Sequence, residues 1–332
     1  ELALYAPGLG YYAAGAGKFG TEGDFVTAPE ISGFFGRALA RQAEPILAET
    51  GGDILELGAG SGRLAVDLLG RLADGDCLPG QYFILEVSPD LRQRQRRLIA
   101  DERPEWLNRV VWLNRLPAGF SGLIVANEVL DALPVHLLHW QSDGILERGV
   151  GYVDGGFVWG DQPITSSHLR QAALALPTQA PSYVSEINLA GAGLIQSLAE
   201  SLERGGMLFL DYGFPRAEYY HPQRNGGTLM CHYRHRAHSD PFLLPGLQDI
   251  TAHVDFTAMA DAALDAGLEV AGYSNQATFL MNCGLLDELG SLEPGSTDYI
   301  RVMSGIQKLL QPTEMGELFK VLAISKGIRA PL

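Results

Sequence analysis

Three glycines at alternating positions follow a short apolar segment, and they constrain the fold of this chain more than any other feature. They are Gly58, Gly60 and Gly62, directly after the apolar segment 53–57. Leucines recur at helical spacing from Leu64 onward, so the sequence predicts a buried strand, a tight turn and a helix. Glycine lets the backbone pass close to a ligand where a β-carbon would clash. A turn of this kind after the first strand of an α/β unit is typical of a nucleotide site.

The spacing of the glycines narrows the kind of nucleotide. A dinucleotide site is typical of G-x-G-x-x-G, whereas this chain has G-x-G-x-G, with Glu56 two residues before the first glycine. The pattern resembles motif I of class I S-adenosylmethionine (SAM) methyltransferases. SAM carries a sulfonium cation and an amino-acid end, which carboxylates and backbone amides can hold. The alternative is an ordinary tight turn between a strand and a helix.

A second acidic residue ends the next apolar segment. Residues 82–86 end in Glu86, which lies 24 positions beyond Gly62. In doubly wound folds an acid at the end of the second strand binds the ribose hydroxyls. We therefore expect Glu86 to contact the ribose, the alternative being a strand-end carboxylate in solvent. Ser88 and Pro89 then predict the start of a helix.

The composition indicates a globular protein that is not expected to bind nucleic acid. The length of 332 residues is enough for one enlarged domain or two. The hydrophobic fraction of 46% and the charged fraction of 19% are typical of globular proteins. The net charge of −15 argues against a broad phosphate-binding surface. The one basic run, at 92–97, is interpreted as a solvated helix face rather than a nucleic-acid patch.

The cysteines and the chain start bear on the compartment. Cys77, Cys231 and Cys283 are widely separated, so they predict neither a disulfide framework nor a Cys-x-x-Cys metal motif, which fits a reducing compartment. No apolar run reaches the length of a membrane span. The chain starts at Glu1 within a helical pattern, so we expect a preceding segment. We expect the cytoplasm in a bacterium, which is the preferred host, or the mitochondrial matrix in a eukaryote.

Strand and helix patterns alternate from residue 52 onward, which indicates a mostly parallel sheet with helices on both faces. The predicted strands are 53–57, 82–86, 109–113, 122–126, 206–211, 268–274 and 319–325. The predicted helices are 31–49, 62–73, 89–100, 189–203, 255–266, 277–290 and 296–310. This is the seven-stranded, Rossmann-like layout of class I methyltransferases, in which the last two strands form an antiparallel edge.

The chain divides into four predicted segments. An N-terminal lid and helical segment covers 1–45, and a SAM-binding core covers 46–140. An inserted region at 141–188 contains a hairpin, with strands predicted from Ile145 to Val150 and from Gly156 to Trp159, that turns at residues 154–156. The rest of the core covers 189–332. Within it, residues 213–250 form an insertion on the substrate side, where we expect the acceptor to bind, because long irregular segments in compact enzymes often form lids or substrate walls.

The loop 18–30 precedes the first core helix. Thr27 is a candidate cap, Pro29 suits the first turn, and Glu30 favours the positive end of the helix dipole. The functional interpretation is a lid that closes over the cofactor, with Thr27 and Pro29 among the residues that contact it. Helix capping alone is the alternative.

Three polar residues follow the strand at 122–126. Ligands of open α/β sheets bind beyond the carboxyl ends of the strands, so Asn127, Glu128 and Asp131 are expected where the methyl acceptor meets the cofactor. If this segment is helical, Glu128 and Asp131 share one face and can orient a guanidinium. Acids that complement a helix dipole are the alternative.

Further titratable residues follow later strands. Asp211 ends the strand at 206–211, and Asp255 is a candidate helix cap. His253 is either a general base or a hydrogen-bonded core histidine, and the sequence leaves both open. The histidines between Cys231 and His238 have metal-ligand spacing, but the arginines among them argue against a cationic site, so no metal is expected.

These clusters together resemble the MidA-like SAM-dependent methyltransferases, the bacterial and mitochondrial relatives of the complex I assembly-factor arginine methyltransferase. The resemblance covers most of the chain. Its motifs are Gly10-Tyr11-Tyr12, Gly23 to Glu30, Glu56 to Gly62, Asn127-Glu128, Asp131 to Pro134, Asp211-Tyr212-Gly213, Gly227-Thr228-Leu229 and Asp249 to Phe256. Ala28 departs from the pattern, since serine is expected before Pro29, and this puts one loop hydrogen bond in doubt.

The resemblance implies SAM-dependent methylation of a protein arginine, in mitochondria on a subunit of respiratory complex I. It implies SAM as the cofactor, S-adenosylhomocysteine as the product, a protein client as partner and a possible homodimer. Glu128 and Asp131 would orient the acceptor, and Glu186 and His253 are further catalytic candidates. The cofactor candidates are Glu56, Gly58, Gly60, Gly62, Glu86, Asn127, Thr27 and Pro29.

Two other functions fit the sequence. One is a SAM methyltransferase that acts on a small molecule or on another side chain. The other is a non-catalytic assembly factor that keeps the fold and holds a client through residues 140–250. An NAD-dependent oxidoreductase is a third option, which the G-x-G-x-G spacing disfavours.

Overall fold

The computed structural model of the chain describes residues 1–13, 26–177 and 179–332. The helices in these ranges are α1 (Leu2–Tyr5), α2 (Ala28–Ile31), α3 (Gly33–Thr50), α4 (Arg63–Asp74), α5 (Pro89–Glu102), α6 (Ser167–Leu174), α7 (Leu189–Ser201), α8 (Arg216–Tyr219), α9 (Phe256–Asp265), α10 (Gln276–Asn282) and α11 (Thr297–Leu310). Short 3₁₀ helices cover Pro104–Trp106 and Asp287–Ser291.

The strands are β1 (Asp53–Leu57), β2 (Tyr82–Leu85), β3 (Val110–Leu113), β4 (Phe120–Asn127), β5 (His136–Gln141), β6 (Gly144–Val153), β7 (Gly156–Pro163), β8 (Tyr183–Ile187), β9 (Leu202–Phe214), β10 (Met230–Tyr233), β11 (Arg236–His238), β12 (Asp249–Thr251), β13 (Val254–Asp255), β14 (Glu269–Asn275) and β15 (Phe319–Lys326). No helix in the described part of the chain combines the length and the apolar character that crossing a membrane requires.

The central sheet brings the ends of four core strands to one edge. Its order is β14-β15-β9-β4-β1-β2-β3, and the short β13 pairs with the end of β9. Neighbours are parallel except at β15, which runs antiparallel to both β9 and β14. Leu57, the last residue of β1, lies beside Leu85 of β2 and Ala126 of β4. The predicted α/β fold with a mostly parallel sheet is confirmed.

Successive side chains of each strand point to opposite faces of the sheet, as the two-residue period of a β-strand requires. Ile54 of β1 packs in one cluster with Leu39 of α3 and with residues of α4, α10 and α11. Leu55 points to the opposite face and packs in a second cluster with Leu198 of α7 and Met259 of α9. Because both faces are covered by helices, the strands are buried and the polar residues concentrate at their ends.

A separate four-stranded antiparallel sheet has the order β7-β6-β5-β8. It has its own small core, to which Leu138, Trp140 and Tyr183 contribute together with Leu169 of α6. This sheet begins at His136, before the predicted boundary at residue 141. Its hairpin strands β6 and β7 are longer than predicted, and they turn at residues 154 and 155 with φ values of 48° and 85°, as a tight two-residue hairpin needs.

Two helix predictions need correction. The helix predicted at 277–290 ends at Asn282, because Gly284 takes a left-handed φ of 71° that stops it. The helix predicted at 31–49 begins at Gly33, where the Ser32 hydroxyl accepts a hydrogen bond from the backbone N–H of Phe34.

Two smaller expectations also differ from the structure. The side chain of Thr27 makes no capping hydrogen bond at the start of α2. The basic run on α5 is only partly a solvated face, because the Arg92 guanidinium donates hydrogen bonds to the carbonyls of Glu86 and Leu113. Asp255 does cap α9, accepting from the N–H of Ala258 at 3.1 Å. Residues 18–25 of the predicted lid lie outside the described residues.

Candidate active site

A cavity of about 610 Å³ lies beyond the carboxyl ends of β1, β2, β4 and β9. Its described wall contains most of the predicted cofactor residues, namely Thr27, Pro29, Glu56, Gly58, Gly60, Glu86 and Asn127. Of the predicted catalytic residues, Glu128, Asp131 and His253 lie in the wall. Gly62 stands just behind it as the residue that precedes α4, and Glu186 lies elsewhere.

The glycine loop needs its glycines for backbone conformation and for space. Gly58 and Gly62 have φ values of 60° and 90°, which residues with a side chain seldom adopt. A β-carbon on Gly62 would also lie 3.2 Å from Cγ of Gln95. The Ser61 hydroxyl donates a hydrogen bond to Glu30, so α2 is attached directly to this loop.

The Glu86 carboxylate is fixed by the helix that follows it. Its Oε1 accepts from the backbone N–H of Ser88 at 2.9 Å, and its Oε2 accepts from Nε2 of Gln95 at 3.2 Å. The same Gln95 nitrogen donates to the Gly60 carbonyl at 2.9 Å, and Trp112 Nε1 donates to Gln95 Oε1 at 2.8 Å. Gln95 therefore holds the glycine loop and the acid at a fixed separation. Burial raises the pKa of Glu86.

Glu56 lies at the floor of the cavity, near the end of β1. The side chain is 3% exposed, and its Oε2 accepts a hydrogen bond from the Tyr82 hydroxyl at 2.7 Å. Burial raises the pKa of Glu56 to about 7, against the opposing effect of the Tyr82 hydrogen bond. A cation bound nearby would favour the charged form of this carboxylate.

The segment after β4 is irregular rather than helical, so Glu128 and Asp131 do not share a helix face as predicted. Glu128 has a left-handed φ of 53°, and its N–H donates to the Leu210 carbonyl at 2.9 Å. Asn127 Nδ2 donates to Glu128 Oε1 at 3.1 Å, while Asn127 Oδ1 is buried without a partner. Burial, followed by the charge of Asp131, raises the pKa of Glu128 to about 8. A strained glutamate with a raised pKa in a cleft is typical of a functional residue.

Asp211 of β9 holds the irregular segment after β4 in place through backbone hydrogen bonds. Its Oδ2 accepts hydrogen bonds from the N–H groups of Leu130 at 3.0 Å and Asp131 at 3.2 Å, and its Oδ1 accepts from the N–H of Tyr212 at 2.9 Å. Burial raises the pKa of both Asp131 and Asp211, and the charge of Asp131 raises the pKa of Asp211 further. A hydrogen bond from the Tyr212 hydroxyl lowers the pKa of Asp131 in part.

Two tyrosines from the N-terminal segment, Tyr5 and Tyr12, line the cavity. The Tyr12 hydroxyl donates to Oδ1 of Asp249 at 2.9 Å, and the Tyr5 hydroxyl donates to the Ala132 carbonyl at 2.8 Å. The two rings are stacked with their centroids 5.5 Å apart. Sequence reasoning missed these contacts because they join residues more than a hundred positions apart, although Gly10-Tyr11-Tyr12 and Asp249 were both in the family motifs.

His253 has the environment of a neutral imidazole. Its ring lies between those of Tyr212 and Phe214, at centroid distances of 5.2 and 5.3 Å, and its Nδ1 is buried without a partner. Burial, followed by the charge of Arg224, lowers the pKa of His253 to about 4. The open nitrogen can therefore accept a hydrogen bond at neutral pH.

Glu186 does not join the other catalytic candidates. It is 1% exposed, and its carboxylate accepts hydrogen bonds from the N–H groups of Thr228 and Leu229 at 2.8 and 3.0 Å. The hydroxyls of Thr228 and Tyr219 donate to its other oxygen. All these partners belong to the protein, so the structure gives Glu186 a structural position: it ties β8 to the segment before β10.

The described wall of the cavity is strongly acidic. It carries the carboxyl groups of Glu30, Glu56, Glu86, Glu128, Asp131 and Asp249. Arg63 is the one arginine or lysine among the lining residues, and its guanidinium is bound to Asp67 and Glu102. Burial raises the pKa values of four of these carboxyls, those of Glu56, Glu86, Glu128 and Asp131, so a cationic ligand would favour their charged forms.

The residues present fit SAM on three observations. The glycine loop lets the backbone approach a ligand, Glu86 stands at the end of the second strand, and the acidic wall with the open Asn127 oxygen suits the sulfonium and the ammonium. The fold and the site together define a class I SAM-dependent methyltransferase.

Comparisons with known proteins agree with this class. The model of an S-adenosyl-L-methionine-dependent methyltransferase family matches residues 37–274. A crystal structure from Burkholderia thailandensis, bound to S-adenosyl-homocysteine, is 45% identical, with a TM-score of 0.95 over 99% of this chain and 87% of that chain. The chain belongs to this family, the MidA-like SAM-dependent methyltransferases, as the sequence predicted.

Curated relatives match over nearly the whole chain. A mitochondrial protein of Drosophila melanogaster, named as a protein arginine methyltransferase NDUFAF7 homolog, is 31% identical over 98% of this chain and 80% of its own length. The mitochondrial protein arginine methyltransferase NDUFAF7 of Mus musculus is 30% identical over 97% of this chain and 78% of its own length.

Proposed function

We propose that this methyltransferase transfers a methyl group to an arginine side chain of a protein. The observation that carries the proposal is the acidic wall beyond β4 and β9, where Glu128, Asp131 and Asp249 face a cavity with no uncommitted lysine or arginine among its described residues. A guanidinium offers a planar fork of donors that carboxylates bind in pairs. The names of the curated relatives support the same acceptor.

We propose that the end of each strand contacts a different part of the cofactor. Glu86 binds the ribose hydroxyls, and Glu56 with the glycine loop binds the amino-acid end. Thr27 and Pro29 close the site from the N-terminal segment, and Asn127 lies between cofactor and acceptor. The residues in this assignment are Glu56, Gly58, Gly60, Gly62, Glu86, Asn127, Thr27 and Pro29. When bound, SAM supplies an electrophilic methyl group on its sulfonium. When this methyl group is transferred, the electron pair of the broken S–C bond stays on sulfur.

Glu128 is the proposed proton acceptor. An arginine nitrogen that gains a methyl group must lose a proton, and the carboxylate best suited to take it has a pKa near the working pH. Burial and Asp131 place the pKa of Glu128 at about 8, well above that of a solvated glutamate. Asp131 and Asp249 orient the guanidinium, and His253 accepts a hydrogen bond through Nδ1. Because the reaction is a displacement, most of the acceleration comes from alignment.

The test is methyl transfer from labelled SAM to arginine-containing proteins, followed by acid hydrolysis and amino-acid analysis. The expected product is methylated arginine. Glu128→Gln is expected to lower kcat by about 10²–10⁴-fold, as for loss of a general base. Its affinity for S-adenosylhomocysteine is expected to stay near that of the parent chain, since Glu128 is assigned to the acceptor. Glu105→Gln, a change at an exposed glutamate, is the matched control.

Other outcomes would contradict the proposal. Label found only in small molecules, or only on another side chain, would replace the acceptor. Absence of SAM binding in calorimetry would favour a non-catalytic assembly factor. A Glu128→Gln variant with unchanged kcat would remove Glu128 from the proposed chemistry.

We further propose that the partner is a protein client and that the chain works in a bacterial cytoplasm. The bacterial structure is 45% identical, whereas the curated mitochondrial relatives are 28–31% identical. Fractionation of cells that express the tagged chain tests the compartment, and recovery in the membrane or periplasmic fraction would contradict it.

A further inference from the structure

The β6–β7 hairpin presents an unusual amount of apolar surface. Four of the exposed apolar side chains share one face of the hairpin, because Val150 pairs with Trp159 and Tyr152 pairs with Phe157, and these four are 38–67% exposed. Val153 and Val158, 55% and 40% exposed, lie on the opposite face. A contiguous exposed apolar patch on a globular protein marks an interaction site more often than scattered apolar residues do. We therefore expect the hairpin to be an interaction site.

The outer strand of this hairpin is an open edge. β7 lies at one end of its sheet, every residue in it is exposed, and among the described strands it pairs only with β6. Natural edge strands are usually blunted by lysine, proline or an inward charge. In β7 the one charged residue, Asp161, is engaged by Arg148 at 2.8 Å, and proline occurs only at the last position, Pro163.

The apolar hairpin is connected to the acidic cavity by one loop. Phe242 packs against Trp159 and Phe157, with ring centroids 4.7 and 6.0 Å apart. The loop 239–248, which carries Phe242, joins β11 to β12, and Ala237 of β11 and Asp249 of β12 line the cavity. The apolar face of the hairpin therefore packs directly against the loop that joins two strands of the cavity wall.

We propose that β7 is the docking edge for the protein acceptor. An extended segment of the acceptor, with apolar side chains at alternate positions, adds to β7 as a further strand while its arginine enters the cavity. Strand addition of this kind takes affinity from main-chain hydrogen bonds and selectivity from alternate side chains. The inference rests on the proposed function, because it takes the acceptor to be a protein that bears an arginine.

Charge favours such an acceptor over a second copy of this chain. The chain carries a net charge of −15 and its cavity wall is acidic, so a second copy would bring a charge of the same sign. A segment that bears arginine brings the opposite sign, which speeds its encounter with the acidic protein.

The test uses two synthetic peptides of equal length, each with one arginine. Valine alternates with threonine in the first peptide, and serine replaces each valine in the second. Affinity is measured by fluorescence anisotropy on the full chain saturated with S-adenosylhomocysteine, and KM by methyl transfer. We expect the valine peptide to bind about tenfold more tightly, the gain of burying roughly one apolar side chain.

Val158→Lys is expected to abolish this preference, because a lysine on an edge strand blocks pairing. Leu264→Lys is the matched control: Leu264 is 55% exposed on α9, so the change adds the same charge to a similarly exposed apolar position, and the preference should persist. Tyr152→Ser, at a side chain 67% exposed, gives a second variant if Val158→Lys does not fold by circular dichroism.

The outcomes separate this inference from the proposed function. Equal binding of the two peptides, or an unchanged preference in Val158→Lys and Tyr152→Ser, overturns docking on β7 even if both peptides are methylated. A preference that Val158→Lys removes, without methylation of either peptide, supports docking and refutes arginine methylation. A dimer in light scattering that Val158→Lys converts to a monomer, with no peptide preference, overturns the inference in favour of a self-interface.

Discussion

Glu86 is the side chain on which we expect cofactor affinity to depend most directly. Its two oxygens are already oriented by Ser88 and Gln95, and each keeps capacity for a further donor. Replacing the acid by Gln puts an amide donor where two hydroxyls are to be bound. Glu86→Gln is therefore expected to weaken S-adenosylhomocysteine binding by about 10–100-fold, the scale of one or two charge-assisted hydrogen bonds.

Isothermal titration calorimetry on the full chain measures this change. Glu269→Gln, at an exposed strand residue on β14, is the matched control and should bind as the parent chain does. Equal affinity of Glu86→Gln and the parent chain would remove Glu86 from the cofactor site.

At the residue scale, the sequence predicted the acids that end strands and missed the side chains that orient them. Glu56 is the last residue but one of the segment 53–57 and Glu86 ends the segment 82–86, so their place near the sheet edge follows from local pattern. Gln95 is an ordinary helical residue in the sequence, and its role depends on how α5 packs over the glycine loop. The irregular backbone at Glu128 was also beyond sequence reasoning, because Asp211 holds it from another strand.

At the scale of elements, an ionic cluster joins α3, α4 and the 3₁₀ helix at Asp287–Ser291. Glu288 accepts from Arg37 at 2.8 Å and from Arg71 at 2.9 Å, and its side chain is 7% exposed. Glu288→Ala leaves both guanidiniums without this shared partner, although Asp74 and Glu44 still neutralise them. We expect a loss of about 1.5–3 kcal/mol in the free energy of unfolding, since charged hydrogen bonds contribute on this scale.

The neighbouring Asp287 provides the control for this prediction. Its side chain is 73% exposed and pairs with Arg41 at 3.1 Å. Asp287→Ala should cost less than about 1 kcal/mol, as exposed ion pairs usually do. Urea unfolding of both variants measures the difference, and equal losses would show that burial of Glu288 does not strengthen its interactions.

Some secondary-structure elements could be predicted from local sequence patterns, and others could not. The strand, glycine turn and helix at 53–74 were predicted within one or two residues, because hydrophobic period and glycine spacing are local signals. The end of α10 was not, since Gly284 inside an apolar stretch stops the helix only through its left-handed backbone. The extra length of β6 and β7 was missed because their outer residues lack the alternation of a half-buried strand.

At the scale of the whole molecule, the buried carboxyls make stability fall as pH rises. Burial raises the pKa of Glu56 to about 7 and that of Glu128 to about 8, whereas in the unfolded chain both ionise near pH 4.3. The folded chain therefore keeps protons that the unfolded chain has already released. Their contribution to stability is complete below about pH 4 and is lost as pH rises through 7 and 8.

The Tm of the ligand-free chain is accordingly expected to decrease between pH 6.5 and 8.5. Glu128→Gln removes one of the two groups and should make the decrease smaller, with a Tm above that of the parent chain at pH 8.5. Glu105→Gln should follow the parent curve. Differential scanning calorimetry at a series of pH values makes the comparison, and a Tm that stays constant or rises over this range would refute the account.

Local sequence patterns were sufficient to predict the sheet with its covered faces, the glycine turn and the acids at the ends of the first two strands. These features follow from periodicity and from the backbone freedom of glycine, which act over short stretches of chain. Only the tertiary structure decided which acids share the cavity: it joined Tyr12 to Asp249 and set Glu186 apart from the site. Burial is a property of the packed molecule, so the raised pKa values that distinguish Glu56 and Glu128 from any solvated glutamate exist only after folding. The cofactor could thus be inferred from a local pattern, whereas the acidic acceptor site depends on segments that meet across the whole chain.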